Sequence, residues 1–239
     1  MVKNVLLFFV AFYSSLFSFG QTQGENDSAS VSRTINLFFK AAGENVPIYN
    51  GSAYAGYEKG IIGSSFFGND RLNNGTIFYS GVQYDNIQMA YDLVGDNLII
   101  NDFRNRDLLI VLVSEKVDSF ILNNHSFINS NQAGKGDSKI GFLDKVYDGV
   151  HTVLVKRRKQ IEPRPLEEKE KSIFVEYNYY YIMSQSGYVP VNNLSSLLNV
   201  FKEKKLLVKK YLREHQIKLR KDPEKTIVEA ARYYDSLAK

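Results

Sequence analysis

The side chains able to do acid–base or metal chemistry are few. There are three histidines, His125, His151 and His215, and no cysteine. Without a thiol the chain can form no disulfide, Cys-ligated metal centre or thiolate nucleophile, and it has no site for the lipid-modified cysteine of bacterial lipoproteins. No two histidines stand at the His-x-x-x-His spacing that sets two imidazoles on one helix face, so a zinc site would have to borrow scattered carboxylates. His125 and His151 each follow a turn signal and read as exposed polar residues at strand starts. His215 follows Tyr211 by one helical turn and reads as a partly buried packing residue.

Other motifs fail on their spacing. Gly134-Lys135-Gly136 invites a phosphate-loop reading, but Asn129 stands where that loop needs its first glycine and Gly136 where it needs Ser or Thr. Ser184-Gln185-Ser186-Gly187 is explained by a hairpin turn better than by a nucleophile elbow. Asp144 and Asp148, four apart on an expected strand, would point to one face about 13 Å apart, wider than glycosidase carboxylates. Glu167, Glu168 and Glu170 lie among Lys169 and Lys171 and read as solvated charge balance. No catalytic, metal or cofactor residue is therefore assigned, no cofactor is called for, and the reading leans away from an enzyme. A hydrolase site assembled from distant residues is the remaining catalytic alternative.

Binding chemistry has better candidates. Tyr177, Tyr179, Tyr180 and Tyr181 give one segment aromatic character on both faces. Strands favour tyrosine for packing, and an exposed aromatic face suits glycan, peptide or protein contacts. The C-terminal part carries Lys202, Lys204, Lys205, Lys209, Lys210, Arg213, Lys218, Arg220 and Lys221. The net charge of +4 hides an asymmetry: residues 21–150 hold 10 Lys/Arg against 15 Asp/Glu, and residues 193–239 hold 12 against 6. The basic tail can answer the acidic front within the molecule, remain solvated, or face an anionic partner. The expected binding residues are Tyr177, Tyr179, Tyr181, Lys205, Lys209, Lys210 and Arg213.

These residues need elements to hold them. Lys3, the apolar run 5–19 and Ser18-Phe19-Gly20 have the layout of a secretory signal peptide over residues 1–20, cut before Gln21. A retained membrane anchor would need a longer span and a stop-transfer flank. Export makes nucleic acid an improbable partner and envelope polyanions accessible ones. Residues 21–45 read as a flexible leader in which Ile35, Leu37, Phe38 and Phe39 form a short docking segment. Residues 46–191 read as an antiparallel β domain, with hairpins at Ser80-Gly81, Asn123-Asn124, Asp148-Gly149 (a tight type I′ loop) and Gln185-Ser186-Gly187. Residues 130–138 and 159–171 read as polar connectors. Residues 192–239 read as a helical tail packed on the sheet, with Leu194, Leu197, Leu198 and Phe201, then Leu207, Val208, Tyr211 and Leu212, then Ile227, Val228, Ala231, Tyr234 and Leu237 as apolar stripes. Asp222-Pro223-Glu224 is a helix start. The fold class is α+β: an antiparallel β meander, sandwich or half-barrel, followed by three short C-terminal helices.

Tyr49-Asn50-Gly51, Gly75-Thr76-Ile77 with Tyr79 and Gly81, Tyr84-Asp85-Asn86-Ile87, Tyr91-Asp92-Leu93, Gly141-Phe142, Tyr147-Asp148-Gly149 and the run from Asp222-Pro223-Glu224 to Tyr233-Tyr234-Asp235 carry a resemblance. Over about residues 49–237 the chain resembles a family of exported envelope or secreted proteins of Gram-negative bacteria with no assigned activity. One landmark departs from the pattern, since Leu143 stands where an aromatic often follows Gly-Phe. The resemblance implies a periplasmic or extracellular location and brings no site residues. The expected function is that of an exported, non-catalytic envelope or secreted protein that binds or scaffolds a partner, a protein or an anionic envelope component, and does not span the membrane after cleavage. The alternative is a periplasmic carrier of an apolar ligand.

Overall fold

A computed structural model of the chain describes residues 47–102, 105, 107–130, 140–166, 169–184 and 187–237. The expected signal peptide, leader and docking segment, the loop holding Gly134-Lys135-Gly136, and Gln185-Ser186 lie outside them. The described residues form an α+β fold whose eleven strands make one antiparallel sheet. In chain order the strands are β1 Ser52–Ala53, β2 Asn73–Tyr79, β3 Val82–Asp92, β4 Asn97–Asn101, β5 Leu109–Val111, β6 Val117–Leu122, β7 His125–Asn129, β8 Phe142–Tyr147, β9 Val153–Leu166, β10 Lys169–Ser184 and β11 Gly187–Pro190. Three helices follow: α1 Leu194–Val200, α2 Lys205–Glu214 and α3 Pro223–Ser236.

The tight turns form where the residues tolerate a left-handed backbone. Ser80 and Gly81 (φ 51° and 76°) join β2 to β3, and Asn123 and Asn124 (φ 52° and 64°) join β6 to β7, as type I′ hairpins require. The strand order β1-β5-β4-β3-β2-β6-β7-β8-β9-β10-β11 departs from a plain meander twice, with β1 beside β5 and β6 beside β2. After β5 the chain turns through the 3₁₀ segment Ser114–Lys116 and lays β6 beside β2. The buried Asn129 side chain holds that turn, donating to the carbonyls of Ser114 and Val117 at 2.8 Å each.

The sheet curls until β9 meets the end of β3, where Lys159 N–H donates to the Leu93 carbonyl at 3.0 Å. Residues 62–67 cover this seam: Ile62 bridges to Ile173 of β10, Phe66 bridges to Asp92, and the Lys159 ammonium donates to the carbonyls of Ser64 and Phe66. Inside the curl Tyr91 packs edge-on against Phe120, Phe127 and Phe142. These four aromatics are almost wholly buried. Gly141 is needed here (φ 86°), since a Cβ at this position would lie 1.8 Å from the Asp96 carboxylate.

A second core joins sheet to helices. Val153 and Ile182 from the sheet, Val191, and Leu197, Phe201, Val208, Leu212, Ile227 and Ala231 from the helical part form one buried cluster. Within this cluster α3 packs on β9, α2 on α3 and α1 on α2, and a fully buried Leu or Phe contributes about 1.5–3 kcal/mol.

Several sequence expectations are corrected. The segment 159–171 is no connector: β9 and β10 run through most of it as a paired ribbon, with Pro163 opposite Ser172 and Pro165 opposite Glu170. Asp148-Gly149 is no two-residue turn. Residues 148–152 form the loop, and Gly149 does not take a positive φ. Asp144 and Asp148 do not share a strand face as expected, because Asp144 is buried on β8 whereas Asp148 lies in that loop bonded to Lys145. On α2 the buried residues are Val208 and Leu212, and Leu207 is 46 % exposed.

Candidate functional site

An open groove of ≈ 1370 Å³ runs between the edge of β10, the β11–α1 link and the α2–α3 link. Local chemistry fixes each wall. β11 ends as Val191 N–H donates to the Tyr180 carbonyl, and the next residues leave the sheet. Asn193 then caps α1 by accepting from Ser196 N–H at 2.8 Å, while the Ser196 hydroxyl accepts from Asn193 N–H, a reciprocal capping box. This cap holds residues 192–195 as one wall.

The opposite wall depends on how α2 stops. Gln216 takes a left-handed conformation (φ 54°), Ile217 N–H bonds back to the Leu212 carbonyl and Gln216 N–H to the Arg213 carbonyl. That is a Schellman ending, with glutamine where glycine is usual. It folds Ile217 back beside Leu212 and leads through Leu219 to α3, which Asp222 caps by accepting from Lys225 N–H. Ile217 and Leu219, half-buried, thus supply aliphatic surface to the groove over the buried Leu212 and Ile227, and Lys209, Arg213, Lys218 and Arg220 border it. These four cations are exposed and have no ion-pair partner among the described residues. Among the described residues no Asp or Glu lines the groove.

The expected binding residues divide in the fold. Tyr179, Lys209 and Arg213 come together at the groove. Tyr177 does not join them, and its hydroxyl bonds instead to Glu162 on the neighbouring strand. Tyr181 shares a strand face with Tyr177 and Tyr179 and is half-buried opposite Pro190, with its hydroxyl pKa raised by burial and by nearby Tyr179. Lys205 bonds to Asn199 at 3.1 Å, and Lys210 lies 3.8 Å from Glu214 one helical turn on. Tyr180, which also lines the groove, has a raised pKa through burial and then Glu224. Sequence reasoning missed the two links, residues 191–195 and 216–220. Their signals, the Asn193 cap and the end of the α2 stripe, mark boundaries and carry no chemistry.

Two His–Asp pairs also escaped the sequence, which placed both histidines at exposed positions. Asp144 is fully buried, and its Oδ2 accepts from Arg157 Nε at 2.9 Å and Nη2 at 2.6 Å, with His125 Nδ1 at 2.8 Å. Arg157 Nη1 donates on to Glu224 of α3 at 2.9 Å. Burial opposes the guanidinium charge, but the hydrogen bonds from Glu224 and Asp144 prevail and its pKa is raised. In the second pair His151 Nδ1 lies 2.6 Å from Asp235 Oδ1, while Asp235 Oδ2 accepts from the Tyr147 hydroxyl at 3.0 Å. The His151 ring packs edge-on against Phe201 and Tyr234. His215, expected to be partly buried, is exposed and lies against the Tyr211 ring. Among the described residues neither paired imidazole is hydrogen-bonded to a hydroxyl nucleophile, as a triad would need. Through Arg157–Glu224 and Tyr147–Asp235 the two clusters fasten α3 to the sheet near both ends of the helix.

Among the described residues no three His, Asp or Glu side chains converge as a metal site would require, and no helix is long and apolar enough to cross a membrane. No protein-family model, curated protein or solved structure matches the chain.

Proposed function

We propose that the chain is an exported, non-catalytic binding protein of the envelope or extracellular space, and that it holds its ligand in the groove between β10 and the helices. One observation carries this reading. An aliphatic surface and four cations with no ion-pair partner among the described residues share one concavity with Tyr179, whereas the buried Arg157 is paired with Asp144 and Glu224. Ligand sites are concave and mostly apolar with a few polar groups that orient the ligand. The size of the groove favours a small ligand, as a carrier would hold, over a flat protein contact. The secretory layout of residues 1–20 supports the location.

The uncharged, environment-sensitive dye Nile red tests the groove. The full chain is expected to bind it saturably, and Ser195→Trp and Leu219→Trp, which fill the groove from opposite walls, to lower that binding at least tenfold. Ser195 is exposed, so its variant should melt as the wild type does. If dye binding is the same in both variants, the groove is not the site.

A further inference from the structure

The charges around the groove select the class of ligand, given that the groove is the binding site. Among the described residues its lining includes Lys209, Arg213, Lys218 and Arg220 and no carboxylate, so the charges on its rim are cationic, although Glu224 and Asp222 act on Tyr180, which also lines it. Lys210, on the adjacent row of α2, is already near Glu214, and Lys205 is hydrogen-bonded to Asn199. Other exposed cations such as Lys202 and Lys221 also have no ion-pair partner among the described residues, but Lys209, Arg213, Lys218 and Arg220 are the ones gathered at one concavity. Between them the accessible surface is aliphatic, supplied by Leu194, Ile217 and Leu219 over the buried Leu212 and Ile227.

We propose that the groove takes a single-chain anionic amphiphile, with its alkyl chain along the aliphatic surface and its carboxylate or phosphate head among Lys209, Arg213, Lys218 and Arg220. Both parts of the ligand answer a feature of the site. A free inorganic anion would leave the aliphatic surface wet, and an uncharged chain would leave four cations without a counter-charge. An extended peptide would bring backbone donors and acceptors against aliphatic walls that cannot meet them, which is costly. Arginine suits a two-oxygen head group because its planar fork binds carboxylate or phosphate through two parallel hydrogen bonds.

Calorimetric titration of the full chain, below the micellar range, tests this with decanoate, decyl phosphate, decanol, decyltrimethylammonium, acetate and inorganic phosphate. The two anionic amphiphiles should bind one per chain, displace Nile red, and bind at least tenfold more tightly than decanol. Their order identifies the preferred head group. Acetate and inorganic phosphate should bind at least a hundredfold more weakly. Lengthening the chain should tighten binding roughly three- to fourfold per methylene until the groove is filled. Lys209→Glu combined with Arg213→Glu should remove the preference for anions and favour decyltrimethylammonium, with Nile red binding retained. If decanol displaces the dye as well as decanoate does, the groove reading stands and the ligand class is wrong. If the charge-reversed variant still prefers decanoate, the cations do not select the ligand and the proposal fails. Sedimentation with phosphatidylglycerol vesicles, without uptake of monomeric decanoate, would make the face a membrane contact and overturn it as well.

Discussion

Arg157 and Arg213 show two uses of the same side chain within one molecule. Arg157, its side chain 8 % exposed, spans two carboxylates and ties α3 to β8 and β9. Arg213, on the solvent side of α2, has no carboxylate partner among the described residues and borders an apolar groove. A buried charge must be paired because desolvation is severe, whereas an exposed one can stay unpaired at little cost. The buried, paired arginine here serves architecture, and the exposed cations gathered at the groove mark a place where a ligand can supply the counter-ion.

The strongest way to break that contrast is to remove the paired arginine. Arg157→Ala leaves the Asp144 carboxylate buried with only His125 beside it, and Oδ1 of Asp144 already lacks a partner. Breaking a buried pair in this way typically costs about 3–5 kcal/mol. Urea unfolding should show a loss of this size for Arg157→Ala, and adding Asp144→Asn should recover part of it, because the residues share one network. A loss near that of a surface substitution would mean that the cluster is ornamental and the contrast false.

A smaller effect is expected within the aromatic core. The Tyr91 hydroxyl donates to Asp96 at 2.6 Å, and the same Asp96 oxygen lies 2.6 Å from the Lys156 ammonium. Burial first, then Asp96, holds the Tyr91 pKa well above its usual 10.0. Below pH 10 the hydroxyl is neutral in both folded and unfolded states. As pH rises past 10 the unfolded chain loses this proton first, so stability falls. Lys156 has the opposite slope: burial lowers its pKa from 10.5, so the unfolded chain binds the extra proton below 10.5 and stability rises with pH there. Tyr91→Phe should therefore cost about 1 kcal/mol at pH 8 through the lost hydrogen bond, and should unfold less steeply than wild type above pH 10. Subtracting the two stability curves leaves the Tyr91 contribution, since Lys156 is common to both. Parallel curves up to pH 11.5 would contradict the assignment.

The sequence made legible those elements whose signals are local. Ser80-Gly81 and Asn123-Asn124 announced their turns because few residues tolerate positive φ, and alternating tyrosines marked β10. Asn193 and Asp222-Pro223 named two helix starts. The polar half of β9 reads as a connector because its residues are charged, and it holds Pro163 and Pro165, which are disfavoured inside strands. Both share the phase of Lys159, whose N–H points away from β10, so neither proline removes a bond from the β9–β10 ladder. Leu207 misled because adjacent apolar residues on α2 compete for the stripe, and packing against Ile227 and Ala231 selected Val208 and Leu212. For the groove, Tyr179, Lys209 and Arg213 were legible as types. Their meeting was not, because it depends on how the α2–α3 link folds back. The Asp144 cluster was hidden for the same reason: its members come from three strands and a helix.

That link offers a finer test of the groove's construction. Gln216 sits in the left-handed region, where a side chain costs on the order of 1 kcal/mol or more and glycine costs little. Gln216→Gly should raise stability by up to about 1 kcal/mol in urea unfolding and leave the Schellman bonds from Ile217 and Gly-substituted 216 in place. A loss of stability would show that the Gln216 side chain makes a compensating contact, and that the wall is held by more than backbone geometry.

The least change in stability is expected at the groove's own cations, and it completes the contrast with Arg157. Lys209→Glu with Arg213→Glu removes two charges that have no ion-pair partner among the described residues. Exposed substitutions away from special features usually shift stability by no more than about 0.5 kcal/mol. Relief of repulsion among neighbouring lysines acts in the stabilising direction and weakens with salt, since exposed charges are screened over about 8–10 Å at physiological ionic strength. The variant should unfold within about 0.5 kcal/mol of wild type at 150 mM salt, with any gain largest at 10 mM. Destabilisation of 2 kcal/mol or more would place these cations in a structural network like that of Arg157. The groove would then lose its claim to charges held for a ligand, and the division between paired and unpaired arginines would no longer separate architecture from binding.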